Sequence, residues 1–181
     1  MKTSVPGLCL VSAFSLVLLA SPPALAQLSV TTFGATDAQE CYQNASSGYS
    51  RDTGPCDEAL SGAMSKSDRV KTLVNRGIIH NHNGDLGDAI SDFNEALDGD
   101  SGLAEAYINR GNSFFLGGQF DNALSDYESS LALNVSEPWA AWYNIGLVHD
   151  ARNDEEKARA AYEEALAAKP GFELALAKLE E

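Results

Sequence analysis

From about Asp68 to the C-terminus the apolar positions keep a helical period almost without interruption. The breaks are short and polar or glycine-rich: NGD at 83–85, GDSG at 99–102, LGGQ at 116–119, NVSEP at 134–138, RND at 152–154 and KPG at 169–171. Helices of similar length joined by links this short must fold back on one another as antiparallel pairs. Upstream, DAQECYQNA (37–45) and CDEALSGAMS (56–65) each predict a short helix, with a loop at 46–55. Residues 27–36, QLSVTTFGAT, have no helical period and are expected to form a flexible start. Strand signals are nearly absent, so the expected fold is all-α.

The helical region repeats itself. LVNRGIIH (73–80), YINRGNSF (107–114) and WYNIGLVH (142–149) share an Asn and a Gly, and the first two also share an Arg. Gly77, Gly111 and Gly146 are followed 12 residues later by Ala89, Ala123 and Ala158. Phe93, Tyr127 and Tyr162 follow at 16, and Ala96, Ser130 and Ala165 at 19. The first two copies are 34 residues apart and the third follows after 35, the extra residue falling in the VSEP turn. There Ser136 is expected to cap the next helix and Pro138 to occupy its first turn. Small residues on both helices of a pair let them cross closely, while the aromatic residues act as knobs between them.

A helix-turn-helix unit of this period and pattern resembles the tetratricopeptide repeat family. The resemblance implies a right-handed α-solenoid with repeats at about 70–103, 104–138 and 139–172. Residues 67–181 would form that domain, closed by a capping helix at 172–181 whose stripe is Phe172, Leu176 and Leu179. CDEAL (56–60) resembles YEEAL (162–166), so residues 37–66 read as a degenerate first helical pair. Cys41 and Cys56, the two cysteines left after residue 26, are expected to tie it by a disulfide; free thiols or a metal pair are the alternatives. A bridge over so short a loop contributes about 3 kcal/mol at most.

The Arg and the Asn of the repeated stretch behave differently. Arg76 is followed at 16 residues by Asp92, and Arg110 by Asp126; at the same offset Ile145 meets Ala161. Both members of the charged pair change together, which predicts a structural ion pair within the repeat rather than a grip on an anionic ligand. Asn75, Asn109 and Asn144 persist in all three copies with no such partner. In the resembled family, first helices line a concave groove. Matching positions give Val74, Asn75 and Ile78, then Ile108, Asn109, Asn112 and Phe115, then Tyr143, Asn144 and Leu147 as a peptide-binding groove. The same matching extends to Lys71, Asn81 and His82, to Glu105 and Leu116, and to Ala140, Asp150 and Ala151. An Asn offers a donor and an acceptor, so a ladder of them can satisfy an extended backbone; alternatively the amides bond neighbouring helices and space the repeats. Some members of the family clamp the terminal carboxylate of chaperone tails with Lys, Arg and Asn. Here those positions hold Val74 and Ile78, Asn109, and Ala140 and Asn144, so only Asn109 fits.

The remaining features narrow the function. Lys2, an apolar run from Leu8 to Ala20 and the Ala24-Leu25-Ala26 end read as a signal peptide, residues 1–26, cut after Ala26. The run is too short to span a bilayer, and Cys9 lies inside it rather than at its end, against a lipoprotein. The exported chain, without Lys2, carries a formal net charge of −15 rather than −14. That charge argues against nucleic acid and anionic membrane as partners. No nucleophile elbow or phosphate loop is present, so no enzyme and no cofactor are expected. His80 and His82 form H-x-H, but residues two apart on a helix diverge by about 200°, which disfavours a metal site. The expected function is a non-catalytic adaptor binding a protein or peptide in the groove, monomeric or weakly self-associating. Its expected location is the bacterial periplasm, with secretion as the alternative. A structural or oligomerising subunit, and a metal-dependent role at His80 and His82, are the other readings. Whether the protein's own N-terminal segment fills the groove is not legible from these residues.

Overall fold

The computed structural model describes residues 25–30 and 36–181. The described residues form helices and loops: α1 (Thr36–Ser47), α2 (Gly54–Ser61), α3 (Lys66–Asn83), α4 (Leu86–Gly99), α5 (Ala104–Leu116), α6 (Phe120–Ala132), α7 (Pro138–Ala151), α8 (Glu155–Ala168) and α9 (Glu173–Glu180). The expected signal peptide lies outside the described residues except for Leu25 and Ala26, and residues 31–35 of the expected flexible start lie outside them too. No helix among the described residues is long and apolar enough to cross a membrane.

The pairing follows the repeat. The α3–α4, α5–α6 and α7–α8 pairs pack most extensively within themselves, and α4 on α5 and α6 on α7 link each pair to the next. Helices α3, α5 and α7 therefore stand side by side as the first helices of three units. Ser65 starts α3 by accepting a hydrogen bond from the Asp68 N–H at 3.0 Å. Gly84, at φ +84°, ends it in the left-handed conformation that an L side chain resists.

Each pair is brought together by one glycine and one ring. A Cβ on Gly77 would stand 2.7 Å from the Phe93 ring; on Gly111, 2.6 Å from Tyr127; on Gly146, 2.3 Å from Tyr162. All three rings are buried, at most 2 % exposed. The small residue on the first helix is thus required by the aromatic residue 16 positions later, which packs against the bare backbone. Ala89, Ala123 and Ala158 are also buried.

At the C-terminal end, the lid differs from the expected stripe. Phe172 is the residue just before α9, and its ring packs on Trp139 and Tyr143 with centroids 4.7 and 5.2 Å apart. Ala175 is fully buried and Leu179 packs against the same cluster, whereas Leu176 is 41 % exposed. Because Phe172 precedes the helix, the buried face continues at 175 and 179, and 176 turns outward. Ser136 also departs from its expected role. Helix α7 begins at Pro138 with Glu137 as its cap residue, so Ser136 is one residue too early and donates to Glu105 instead, at 3.3 Å.

The N-terminal pair is held by the Cys41–Cys56 bridge, with both cysteines fully buried. Helix α1 packs on α2 and on α3, placing the pair against the first repeat.

The glycine–ring contact gives a direct test. Gly111→Ala should destabilise the protein by about 2 kcal/mol through overpacking against Tyr127, despite the better helix propensity of Ala. Gly87→Ala, where a Cβ meets nothing within 4 Å, should be neutral or slightly stabilising. Denaturant titrations of the two variants against the wild type make the comparison.

Candidate peptide-binding groove

The repeated Arg is consumed by structure. Arg76 donates to Asp92 through Nε at 2.9 Å and Nη2 at 2.7 Å, and Arg110 donates to Asp126 through the same two atoms at 2.8 Å each. These are two-pronged pairs, with each Asp side chain 7 % exposed. The pairing holds both guanidinium groups above their ordinary pKa against the opposing cost of burial. The sequence offset did not reveal the third contact of each Arg. Arg76 Nη1 reaches Asp57 on α2 at 2.7 Å, and Arg110 Nη1 reaches Asn94 on α4 at 2.7 Å. Each Arg therefore ties its own pair to the one before. In the third copy Ile145 and Ala161 fill the equivalent space within an apolar cluster.

The repeated Asn points the other way, to an extended segment lying across α3, α5 and α7. Ala26 N–H donates to Asn144 Oδ1 at 3.1 Å, and Asn144 Nδ2 donates to Ala26 C=O at 3.1 Å. Leu28 pairs with Asn109 in the same manner, at 3.4 and 2.8 Å. Val30 pairs with Asn75, at 3.1 and 2.9 Å. Each carboxamide satisfies both backbone groups of one residue, as a neighbouring β-strand would. Successive rungs are two residues apart, a step of about 6.6 Å in extended chain. The segment runs from the third repeat toward the first, against the order of the solenoid.

A second amide layer supports the first. Asn112 Nδ2 also donates to the Ala26 C=O, at 2.9 Å. Its Oδ1 accepts from Asn144 Nδ2 at 2.8 Å and from the Tyr127 hydroxyl at 3.0 Å. Asn81 bonds the neighbouring helix instead: its Nδ2 donates to the Asn109 carbonyl at 3.4 Å and its Oδ1 accepts from Ser113 at 2.8 Å. Contact with the segment and contact between helices thus coexist, and Asn112 and Asn144 make both. Asn75, Asn109, Asn112 and Asn144 are all fully buried, so their amides depend on these partners.

Apolar side chains complete the groove. Val30 packs on the cluster holding Val74 and Ile78, Leu28 belongs to that of Ile108, and Leu25 and Ala26 pack with Phe115, Tyr143 and Leu147. Gln27 reaches His82, with Oε1 2.8 Å from Nε2; burial lowers the pKa of that His. His80 faces Asp85 and Asp92 at 3.8 and 3.9 Å, so the two histidines diverge. Among the described residues no three His, Cys, Asp or Glu side chains are gathered as a metal site would need.

Residues 27–30, read from sequence as part of a flexible start, therefore have a bound position. The cause is the tertiary groove, since an isolated extended segment has no partner for its backbone. A faint signal was present: Ala26, Leu28 and Val30 alternate with Gln27 and Ser29 at the period of a half-buried strand.

The repeat fold is shared with known proteins. A tetratricopeptide repeat family model matches residues 108–171, and the unit at α3–α4 repeats its glycine, ring and amide geometry. Over that stretch the chain resembles the tetratricopeptide repeat family, and its helical solenoid matches solved structures of that fold. Among solved structures, MamA is 29 % identical with a TM-score of 0.59, over 69 % of this chain and 71 % of that one. The first tetratricopeptide domain of Spaghetti (RPAP3), solved with the HSP90 peptide SRMEEVD, is 25 % identical with a TM-score of 0.59, over 66 % and 94 %. The Arabidopsis OM64 tetratricopeptide domain, at 17 % identity and a TM-score of 0.60, over 64 % and 95 %, shares the fold. No curated protein matches the chain.

The Arg pairs carry the prediction here. Arg110→Ile alone strands Asp126 and should cost about 2 kcal/mol, below the roughly 3–5 kcal/mol of a fully buried pair because Arg110 is partly exposed. Arg110→Ile with Asp126→Ala, which copies the third repeat, should recover part of that loss. A double-mutant cycle by thermal melting reads the coupling.

Proposed function

We propose that this tetratricopeptide protein is a non-catalytic adaptor that binds an extended protein segment along its concave groove. The observation that carries this reading is the ladder of Asn75, Asn109 and Asn144, each amide pairing with both backbone groups of one extended residue. Such a ladder gives affinity through the main chain, while the apolar clusters between the rungs add burial and select side chains. The peptide-bound relative supports the same use of the fold.

The chaperone-tail form of that use is disfavoured, because the basic positions of its clamp hold Val74, Ala140 and Asn144. The proposed location is the periplasm, supported by the N-terminal pattern of Lys2, an apolar run and Ala24-Leu25-Ala26, and by a buried disulfide that an oxidising compartment favours.

Cross-linking in intact cells from a photoreactive residue placed at Leu116, on the exposed end of α5, followed by identification of the captured chain, tests this function. Asn109→Ala combined with Asn144→Ala should abolish capture and leave helicity by circular dichroism unchanged. Capture undiminished in that variant would remove the groove from the function.

A further inference from the structure

We infer that residues 25–30 are an internal ligand of the groove, and that the external partner is an uncharged extended segment of the same alternation, which must displace them. The inference rests on the groove reading above and specifies its occupant.

The internal segment shows what the groove selects. The ladder residues are small, then leucine, then β-branched: Ala26 on Asn144, Leu28 on Asn109 and Val30 on Asn75. Val30 packs on one apolar cluster, Leu28 belongs to a second, and Ala26 sits between that second cluster and a third, so the rungs differ in their surroundings. The position between the first two rungs is polar, where Gln27 meets His82. Nothing in the ladder asks for a chain terminus, because every rung is read through an internal N–H and C=O.

Charge sets a second requirement. Arg76 and Arg110, the cations beside the Asn residues in sequence, are already bound to Asp92 and Asp126. The whole chain carries a formal charge of −14. An acidic peptide such as the one held by the Spaghetti domain would meet repulsion and no basic clamp. A neutral segment meets neither penalty.

The internal ligand is also displaceable. It is an extended stretch without helix or turn contacts of its own, held by three rungs, the Asn112 and His82 contacts and a few apolar side chains. The expected cut after Ala26 would remove the Asn144 rung, so displacement would begin at the third repeat. Tethering gives the internal segment a high effective concentration, and an external peptide competes against that advantage.

The test uses the full chain and a fluorescent, acetylated and amidated peptide of sequence LAQLSV, that of residues 25–30, followed by anisotropy. In a chain carrying Leu28→Asp and Val30→Asp, which unseats the internal segment, the peptide should bind at one to one and at least tenfold more tightly than in wild type. Adding Asn109→Ala to that chain should abolish the gain, and a peptide with Asp at the Leu28 and Val30 positions should not bind. Circular dichroism checks that each variant keeps its helices, and Leu28→Ser with Val30→Ser replaces the Asp pair should folding be lost. Equal affinity in the unseated and wild-type chains would overturn the internal-ligand inference. If groove capture in cells then persisted and still required Asn109, the adaptor function would stand with a different occupant. Loss of both would overturn the groove reading itself.

Discussion

The contact on which this molecule depends is a ring lying against a glycine. In each repeat the first helix exposes bare backbone at Gly77, Gly111 or Gly146, and the second helix presses Phe93, Tyr127 or Tyr162 onto it. Neither half works alone. A Cβ would strike the ring, and a small residue in place of the ring would leave a void. The pair sets how closely two helices approach, and that approach sets where the next helix can stand. Three such units place α3, α5 and α7 side by side, so that one face of each contributes to a continuous groove.

The groove then has a division of labour that neighbours in sequence do not suggest. In the NRG stretch three adjacent residues point to three different tasks. The glycine receives the ring. The arginine turns to the second helix and to the preceding unit, where Asp92, Asp57, Asp126 and Asn94 meet it. The asparagine turns to the groove and pairs with extended backbone. A helix separates successive residues by about 100°, so adjacent letters must face different neighbours. The charged residue is thus structural, and the neutral amide is the one that meets the extended segment.

The amides also explain why the seated segment is held through its backbone rather than through a charged end group. A carboxamide presents a donor and an acceptor side by side, which matches the N–H and C=O of one extended residue. Burial makes this pairing obligatory, since an orphaned amide is costly away from water. Asn112 extends the logic inward: the Tyr127 hydroxyl and Asn144 fix its oxygen, leaving its nitrogen to the Ala26 carbonyl. The same tyrosine that packs on Gly111 therefore orients an amide of the groove, linking the fold's packing to its binding surface.

The sequence by itself determined the helical period, the three copies, the short links and the pairing of Arg76 with Asp92 and Arg110 with Asp126. These are local or fixed-offset features, and a repeat displays them three times over. It also marked Asn75, Asn109 and Asn144 as different in kind from the Arg beside them. Tertiary structure decided the rest. The outward turn of Leu176 depended on where α9 begins relative to Phe172. The third contacts of Arg76 and Arg110 depended on how one unit is set against the next. The seating of Leu25–Val30 depended most on tertiary structure, because an extended segment has no internal hydrogen bonds and so no period strong enough to read. Its conformation is written in the residues that receive it, 45 to 118 positions away along the chain, and only folding brings those residues together.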